Sequence, residues 1–149
     1  MERVVLDGTD FRIVDELVRN GRVSFASLGG LVGLSPHGAA NRVRRLTRAG
    51  VITGFTAVVD LERVGRAIDA FIDVRLQPTV PPEDFEAGIG RINRVRELAF
   101  VTGRFDYHLR VACADVDELD ETVRSVRHAG AAQTETRIVL RSAAYRRNV

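Results

Sequence analysis

The sequence predicts an α+β fold in which an N-terminal helix-turn-helix domain of the winged type precedes a ferredoxin-like domain. Three short helices with cap and stop residues are expected before residue 50. After residue 66 the hydrophobic pattern gives the order β-α-β-β-α-β, typical of an antiparallel sheet covered by helices on one face. We therefore expect domains at residues 1–52 and 67–149, joined by a strand and linker over residues 53–66.

Cap residues and apolar spacing predict the first two helices. Asp7 can cap a helix over residues 8–20 that Gly21 ends, and Ser24 can cap a second helix over Phe25–Val32. The residues expected on the inner faces are Phe11, Val14, Leu17 and Val18 in the first helix and Leu28, Leu31 and Val32 in the second.

Glycines occur inside the second helix and in the turn after it. The Gly29-Gly30 pair costs about 1 kcal/mol per glycine relative to alanine, and the sequence alone gives no reason for it. Gly33 supplies backbone freedom to a tight turn, in which Leu34 is an apolar plug. Two short helices joined by such a turn, after a leading helix, make a helix-turn-helix.

The third helix is predicted to carry a cationic surface. Ser35 suits its N-cap, Pro36 its first position, and Gly50 the left-handed residue beyond its end. Its apolar stripe consists of Ala39, Val43 and Leu46. The polar side chains off that stripe include Asn41, Arg42, Arg44, Arg45 and Arg48, with no carboxylate among them. Taken alone, this pattern is also typical of a solvated arginine face.

Excess positive charge is confined to one segment of the chain. Residues 17–59 contain six arginines and no Asp or Glu, whereas the 14 arginines from residue 61 onward match 14 acidic residues. Such a local excess indicates a polyanion partner. On a helix-turn-helix it indicates double-stranded DNA.

A β-type pattern begins after Gly50. Residues 51–59 are rich in β-branched side chains and predict a strand, with pairing to its own copy in a dimer as one option. Residues 60–66 are expected to be the linker to the second domain.

Alternation and cap residues define the second domain. Strands are expected over residues 67–77, 95–102, 105–112 and 133–143, and helices over residues 83–92 and 116–127. Gly103-Arg104 is the predicted hairpin turn between the second and third strands. The apolar faces consist of Ala70, Ile72, Val74 and Leu76 in the first strand and Phe105, Tyr107, Leu109 and Val111 in the third. Asp73, Arg75 and Arg110 lie on the opposite face, which is solvated or meets another subunit.

Several of these stretches match the ordered motifs of a known family. They are residues 6–10, 21–24, 32–36, 42–46 and 50–58 in the first half, and residues 101–111, 134–136 and 138–140 in the second. On these motifs the sequence resembles the Lrp/AsnC, or feast/famine, transcriptional regulators. The resemblance implies a DNA-binding domain followed by a domain that oligomerises and senses small molecules, usually amino acids. It also implies homodimers that assemble into higher oligomers such as octamers.

Two stretches depart from the family pattern. Residues 38–41 are small or uncharged where such proteins more often have bulkier or basic residues, so the operator sequence does not carry over. Residues 129–131 are Ala-Gly-Ala where Pro-Gly-Val is common, which leaves the loop before the last strand undefined.

Residues of the third helix and its cap are the predicted DNA contacts. Ser35, Pro36 and His37 are expected at the helix start near the major groove, with Ser35 on a phosphate. Asn41 and Arg42 can make bidentate contacts with adenine and guanine edges. The residues expected on phosphates are Arg44, Arg45 and Arg48, the second of which could instead pair within the dimer. Two-fold symmetry predicts palindromic half-sites separated by multiples of ~10 bp.

The predicted effector site surrounds the Gly103 turn. A turn glycine lets backbone amides approach a carboxylate, and Asp106 can accept from an ammonium group. The complete predicted set is Thr102, Gly103, Arg104, Asp106, Thr134 and Thr136. By resemblance the pocket lies between dimers, with the turn and the last strand from different subunits. The alternative is that Gly103 is only a hairpin turn and that Asp106 pairs with Arg104 or Arg110.

No residue pattern indicates catalysis, a metal site or a cofactor. The three histidines are too scattered for a metal motif, and the single cysteine, Cys113, excludes an internal disulfide. No apolar run reaches ~18 residues, so no membrane span is expected. The N-terminus lacks a signal-peptide pattern, which predicts a cytoplasmic protein.

Two other functions remain open from the sequence. Sirohaem decarboxylases resemble the Lrp/AsnC architecture, and His108 and Arg110 could bind tetrapyrrole carboxylates in such an enzyme. The cationic third helix argues against that role, because an enzyme has no use for it. The other alternative is an architectural DNA binder that ignores small molecules.

Overall fold

A computed structural model describes residues 4–143 of the chain. These residues divide into two compact units, residues 4–58 and residues 59–142. No helix within the described range is long and apolar enough to cross a membrane.

Three α-helices form the first unit, and each begins at a predicted cap residue. Their bounds are Gly8–Arg19 (α1), Phe25–Val32 (α2) and Pro36–Arg48 (α3). The side chains of Asp7, Ser24 and Ser35 each accept a hydrogen bond from the backbone amide three residues further on. The predicted helix-turn-helix is therefore confirmed.

The buried stripe of α1 is not the predicted one. Ile13 is fully buried and Asp10 is 1% exposed, whereas Phe11 and Val18 are 43% and 44% exposed. The carboxylate of Asp10 occupies a place on the inner stripe that an apolar pattern does not reveal. The prediction that Phe11 and Val18 face inward was therefore wrong.

The ends of α1 and α2 correct two further details. α1 ends at Arg19 and is capped by Asn20 in an extended conformation, so Gly21 is not its stop. In α2, Leu28 and Val32 are buried as predicted, but Leu31 is 51% exposed.

Close packing explains one glycine of the Gly29-Gly30 pair. A Cβ atom at Gly29 would lie 2.5 Å from the carbonyl oxygen of Leu34, whereas Gly30 faces open space. Gly29 therefore lets the turn into α3 pack directly on α2. That turn begins at Gly33, whose left-handed φ of +75° uses the backbone freedom predicted for it.

The second unit is a four-stranded sheet with two α-helices. Its elements are β1 (Ile68–Leu76), α4 (Pro82–Ile89), β2 (Val95–Phe100), β3 (Tyr107–Cys113), α5 (Val116–His128) and β4 (Ala131–Ile138). The strand order is β2-β3-β1-β4, and all neighbours pair antiparallel. This arrangement confirms the predicted ferredoxin-like βαββαβ fold.

One face of the sheet forms the core with the two helices. Fully buried side chains on this face include Ala70, Ile72, Val74, Tyr107, Leu109 and Val111. Phe85 and Ile89 of α4 and Leu119 and Val126 of α5 pack against them. The predicted inner faces of β1 and β3 are thus confirmed, apart from Phe105, which precedes β3 and is half-buried.

The structure corrects the predicted strands, most of all at residues 51–59 and in the last strand. Residues 51–59 form no strand in the described chain, because no neighbouring segment pairs with them. The described helix-turn-helix therefore lacks a β-wing. β4 covers Ala131–Ile138 rather than residues 133–143, and the predicted linker contains a 3₁₀ turn at Glu62–Val64.

Candidate nucleic-acid interface and effector loop

The α3 helix exposes its polar residues away from its apolar stripe. Ala39, Val43 and Leu46 are buried against α1 and α2, as predicted. The exposed or partly exposed polar residues are His37, Asn41, Arg42, Arg44, Arg45 and Arg48. Gly50 has a φ of +71° just past the helix, which confirms its predicted left-handed conformation. Every predicted DNA-contact residue is therefore brought to one short, capped helix.

The cap of α3 uses the side chain that was predicted to bind a phosphate. The hydroxyl of Ser35 accepts from the amide of Gly38 at 3.1 Å. The amide of Ala39 donates to the carbonyl of Ser35 at 2.9 Å. Ser35 therefore fixes the start of the helix, and Pro36 and His37 follow it at exposed positions.

Two carboxylates at the N-terminal end of α1, those of Asp7 and Asp10, contact the arginines of α3. We call them the carboxylate pair. The amide of Asp10 donates to Asp7 Oδ1 at 2.8 Å, and the amide of Asp7 donates to Asp10 Oδ2 at 3.1 Å. Arg42 Nη1 lies 2.5 Å from Asp7 Oδ2 and 3.0 Å from Asp10 Oδ1. Arg45 Nη2 donates to Asp10 Oδ2. The pair thus caps α1 and joins it to α3.

The charge state of the carboxylate pair is fixed by these contacts. Burial alone raises the pKa of Asp10, but hydrogen bonds from Arg45, the Asp7 amide and Arg42 lower it to about 2. The Arg42 hydrogen bond likewise lowers the pKa of Asp7, and the two carboxylates raise the pKa of Arg42. Both carboxylates are therefore ionised at neutral pH.

The carboxylate pair is a part of this site that was not predicted from the sequence. Its signal was present: two Asp residues spaced as a capping box precede a segment that lacks its own acids. Arg45, which was predicted to bind a phosphate or to pair within a dimer, pairs with Asp10 in the single chain.

Arg44 and Arg48 differ from Arg42 and Arg45. Within residues 4–143, no carboxylate oxygen lies within 4.0 Å of either guanidinium. Arg48 Nε lies 3.4 Å from the carbonyl oxygen of Arg44, one turn earlier. These two exposed arginines keep their charge uncompensated by the first unit's own acids.

A shallow cleft lies beside the outer face of α3. It has a volume of about 420 Å³. Its lining residues are Asp7, Leu34, Gly38, Asn41, Arg42 and Arg45. The amide of Asn41 and the guanidinium groups of Arg42 and Arg45 therefore border one concave surface together with an exposed carboxylate.

The predicted effector turn is a six-residue loop between β2 and β3. Gly103 has a φ of +121°, and the amide of Val101 donates to the carbonyl of Asp106 at 2.9 Å. The Asp106 carboxylate accepts from the amide of Leu76 at 2.8 Å, which ties the loop to the end of β1. Arg104 lies over the Phe105 ring, with its Cζ 5.3 Å from the ring centroid. Asp106 therefore holds the loop in place rather than pairing with an arginine.

The predicted threonines of β4 do not meet this loop within one chain. Thr134 and Thr136 pair in register with Val74 and Ile72 of β1, so β1 lies between β4 and β3. Thr134 Oγ1 accepts from Arg127 Nε at 3.1 Å, on the side of α5. Thr102, by contrast, is exposed in the loop itself.

The open face of the sheet carries ion pairs between neighbouring strands. Arg110 donates to both oxygens of Asp69, at 3.0 and 2.7 Å. His108 Nδ1 lies 2.6 Å from Asp73 Oδ1, and Arg137 donates to the other oxygen. Asp73 is only 8% exposed within the single chain, so it is buried on a face that was predicted to be solvated or to meet another subunit. His108 also stacks on Phe71, with ring centroids 4.7 Å apart.

The ion pairs of the sheet involve the two residues considered for a sirohaem decarboxylase-like enzyme. His108 and Arg110, the residues considered for tetrapyrrole carboxylates, are both engaged by aspartates of β1. Across residues 4–143, no group of three or more His, Cys, Asp or Glu side chains is arranged to hold a metal ion. Cys113 is buried in the core beside Thr122, and burial raises the pKa of its thiol.

Both halves of the chain match domains of one family. Residues 6–47 match the AsnC-type helix-turn-helix domain, and residues 69–149 match the Lrp/AsnC ligand binding domain. The chain is 34% identical over 139 residues to the leucine-responsive regulatory protein of Haemophilus influenzae, covering 91% of this chain and 84% of that protein.

Solved structures are similar over nearly the whole chain. The transcriptional regulator NMB0573 of Neisseria meningitidis, in complex with L-Met, gives a TM-score of 0.90 at 28% identity, covering 97% of this chain and 96% of that one. The feast or famine regulatory protein Rv3291c of M. tuberculosis, complexed with L-methionine, gives 0.90 at 30% identity, covering 96% and 97%. The named relatives are regulators and not enzymes.

Proposed function

The chain belongs to the Lrp/AsnC family of transcriptional regulators, and on that premise we propose that it binds specific double-stranded DNA through α3. The observation that carries this proposal is the exposed arginine surface on a capped helix of a helix-turn-helix. Uncompensated arginines attract the phosphate backbone, and amide and guanidinium side chains can bind base edges in the major groove. The residues proposed to form this DNA-binding surface are Ser35, Pro36, His37, Asn41, Arg42, Arg44, Arg45 and Arg48.

A homodimer would place two such helices on one DNA duplex. Residues 51–59 have a strand-forming sequence without a strand partner in the described chain, and Phe55 and Val58 are 58% and 83% exposed. Pairing this segment with its copy would satisfy its backbone and cover these side chains. Two-fold symmetry then gives palindromic half-sites separated by multiples of ~10 bp.

The C-terminal unit is the proposed sensor of an amino acid. The left-handed Gly103 and the exposed Thr102 and Arg104 leave amide, hydroxyl and guanidinium donors for a carboxylate in the β2–β3 loop. Thr134 and Thr136 would come from another subunit, because β1 separates them from the loop of their own chain. The L-methionine complexes of two structural neighbours support this ligand class.

Regulation would follow from a shift between assemblies. An effector bound between dimers favours one association state, such as an octamer, and so changes how several α3 helices match the spacing of half-sites. Such a protein acts on chromosomal DNA, so the proposed location is the cytoplasm.

In vitro selection of duplexes from a random library tests the DNA proposal. The full-length protein is expected to enrich duplexes with palindromic half-sites, and footprinting should protect both halves. Recovery of unenriched library after repeated rounds would contradict sequence-specific binding and would favour an architectural role.

Calorimetry with the twenty amino acids tests the sensor proposal independently. At least one amino acid should release or absorb heat and change the oligomer size seen in sedimentation. The variant Thr102→Val should weaken that binding because it removes a hydroxyl from the loop. Absence of heat from every amino acid would support the reading of the loop as a simple hairpin turn.

A further inference from the structure

The arginines of α3 form two chemically different pairs. Arg42 and Arg45 donate to the carboxylate pair, whereas Arg44 and Arg48 meet no carboxylate within 4.0 Å in the described part of the chain. Arg42, Arg45 and the two aspartates sum to no net charge, so together they add little to long-range attraction of DNA. Arg44 and Arg48 keep both of their positive charges.

Helix geometry separates Arg42 from Arg45. Asn41, Arg45 and Arg48 follow the spacing i, i+4, i+7 and therefore form one stripe of α3. This stripe is exposed, since the side chain of Arg45 is 50% accessible. Arg42 lies to one side, against α1, where a single nitrogen contacts both carboxylates.

The contacts of Arg45 leave donors on its guanidinium for another group. Arg45 uses Nη2 toward Asp10, and a guanidinium has five N–H donors in a rigid plane. Holding one edge of that plane fixes the direction of the remaining donors. A guanidinium fixed in this way loses less conformational entropy when it binds the paired acceptors of a guanine edge.

We infer that Asp10 is a positioning residue for sequence readout: it holds Arg45 on the outer stripe of α3 so that this arginine reads a base edge. Arg42 is the second positioning residue, because it holds the carboxylate pair. The sequence predicts the opposite assignment, with Arg42 on a base and Arg45 on a phosphate. Arg44 and Arg48 remain the phosphate contacts. The inference rests on the proposed DNA binding by α3.

The test compares two duplexes by fluorescence anisotropy. One is the duplex most enriched by the wild-type protein from a random library, and the other is a random duplex of equal length. Asp10→Asn keeps the side-chain size and one accepting oxygen, but it removes the charge that holds Arg45. We expect the ratio of the two affinities to fall about tenfold. Affinity for the random duplex should rise slightly, because a negative charge near the phosphates is lost.

A matched control variant distinguishes the recognition of base edges from the attraction of phosphates. Arg44→Gln removes an arginine of the same helix that has no carboxylate neighbour among the described residues. It should weaken binding to both duplexes equally and reduce the salt slope by about one per bound helix. A general folding defect, in contrast, would lower both affinities in Asp10→Asn, and circular dichroism measures helix content in every variant.

A double-variant cycle shows whether Asp10 acts through Arg45. In the Arg45→Gln background, Asp10→Asn should cause no further loss of the affinity ratio. Arg45→Lys keeps the charge beside Asp10 and hence the fold, but loses the planar fork, so the ratio should fall with an unchanged salt slope. If Asp10→Asn does not fold, Arg45→Lys still tests whether Arg45 reads a base edge.

Two results would overturn the inference. One is an unchanged affinity ratio in folded Asp10→Asn or in Arg45→Lys. The other is that Asp10→Asn lowers the affinity ratio equally in the wild-type and in the Arg45→Gln background, since Asp10 would then act independently of Arg45. A wild-type protein that binds DNA but enriches no duplex contradicts sequence-specific readout itself. This outcome is distinguishable because it is seen before any variant is made.

Discussion

Arginine is used differently in the two units of the molecule. On α3, Arg44 and Arg48 are exposed and have no carboxylate neighbour in the described chain. On the open face of the C-terminal sheet, Arg110 and Arg137 are paired with Asp69 and Asp73. The sequence separates these regions in the same way, because acids are absent over residues 17–59 and balanced by arginines later.

The difference shows what each surface can bind. An arginine already paired with a carboxylate gains less from a phosphate, because the carboxylate already compensates its charge. An unpaired exposed arginine releases counterions from DNA on binding, which favours association. The first unit is therefore suited to a polyanion, whereas Arg110 and Arg137 of the sheet face are already paired with carboxylates.

The Glu118 cluster extends this pattern in the C-terminal unit. The Ala114 amide donates to Glu118 at 2.5 Å, and Arg94 Nε lies 2.7 Å from the other oxygen. These contacts lower the pKa of Glu118 to about 2, and Arg66 adds a third contact at 3.0 Å. Two arginines near α5 thus share one carboxylate of that helix.

Charge reversal on α3 should produce the largest effect. Arg44→Glu combined with Arg48→Glu is expected to weaken binding to any duplex by about 100-fold, because each reversal replaces attraction of phosphates by repulsion. Anisotropy at fixed salt measures the effect. The matched control is Arg124→Glu, on an exposed arginine of α5 that already pairs with Asp120 at 2.6 Å, and it should leave DNA affinity unchanged. Equal losses of DNA affinity in the two variants would contradict the claim that the two units differ in their attraction of DNA.

Removing Asp73 should destabilise the C-terminal unit. Asp73→Asn weakens charge-assisted hydrogen bonds from His108 and Arg137 to a largely buried side chain. The expected loss in the free energy of unfolding is about 3 kcal/mol, measured by urea denaturation. The exposed control Asp120→Asn should cost less than about 0.5 kcal/mol. A near-zero effect of Asp73→Asn would mean that the sheet's ion pairs do not stabilise the fold.

Acid should weaken the first unit through Asp10. Its pKa is lowered from 3.8 to about 2 on folding, so its stabilising contribution is present above pH 3.8 and is lost as the pH falls through 2. Full loss amounts to about 2 kcal/mol. Asp10→Asn should therefore be less stable than the wild type at pH 6, and the gap should narrow toward pH 2. A gap independent of pH would show that the carboxylate charge is not what stabilises the wild type.

Local patterns predicted most of the fold. The caps of all three N-terminal helices, the apolar stripe of α3 and the alternation in β1 and β3 are each encoded within a few consecutive residues. Gly33 and Gly50 were predicted correctly for the same reason, because a left-handed residue after a helix favours glycine locally.

The incorrect or missing predictions involve contacts between distant residues. Asp10 meets Arg42 and Arg45 across more than 30 positions, and a carboxylate on an inner stripe is invisible to an apolar pattern. The burial of Asp73 within its own chain was not predicted, since its partners lie on two other strands. Residues 51–59 have strand chemistry, but a strand needs a partner that the described single chain does not supply.

The salt dependence of binding to a random duplex tests most directly whether unpaired α3 arginines attract DNA. Arg44→Gln combined with Arg48→Gln should reduce the slope of log affinity against log salt by about two per bound helix. Arg42→Gln should reduce it by far less, because the carboxylate pair already compensates that charge. Two results would contradict the claim that the unpaired arginines of α3 attract DNA. One is an equal reduction of the slope per arginine in the two variants, and the other is a wild-type affinity that does not change with salt.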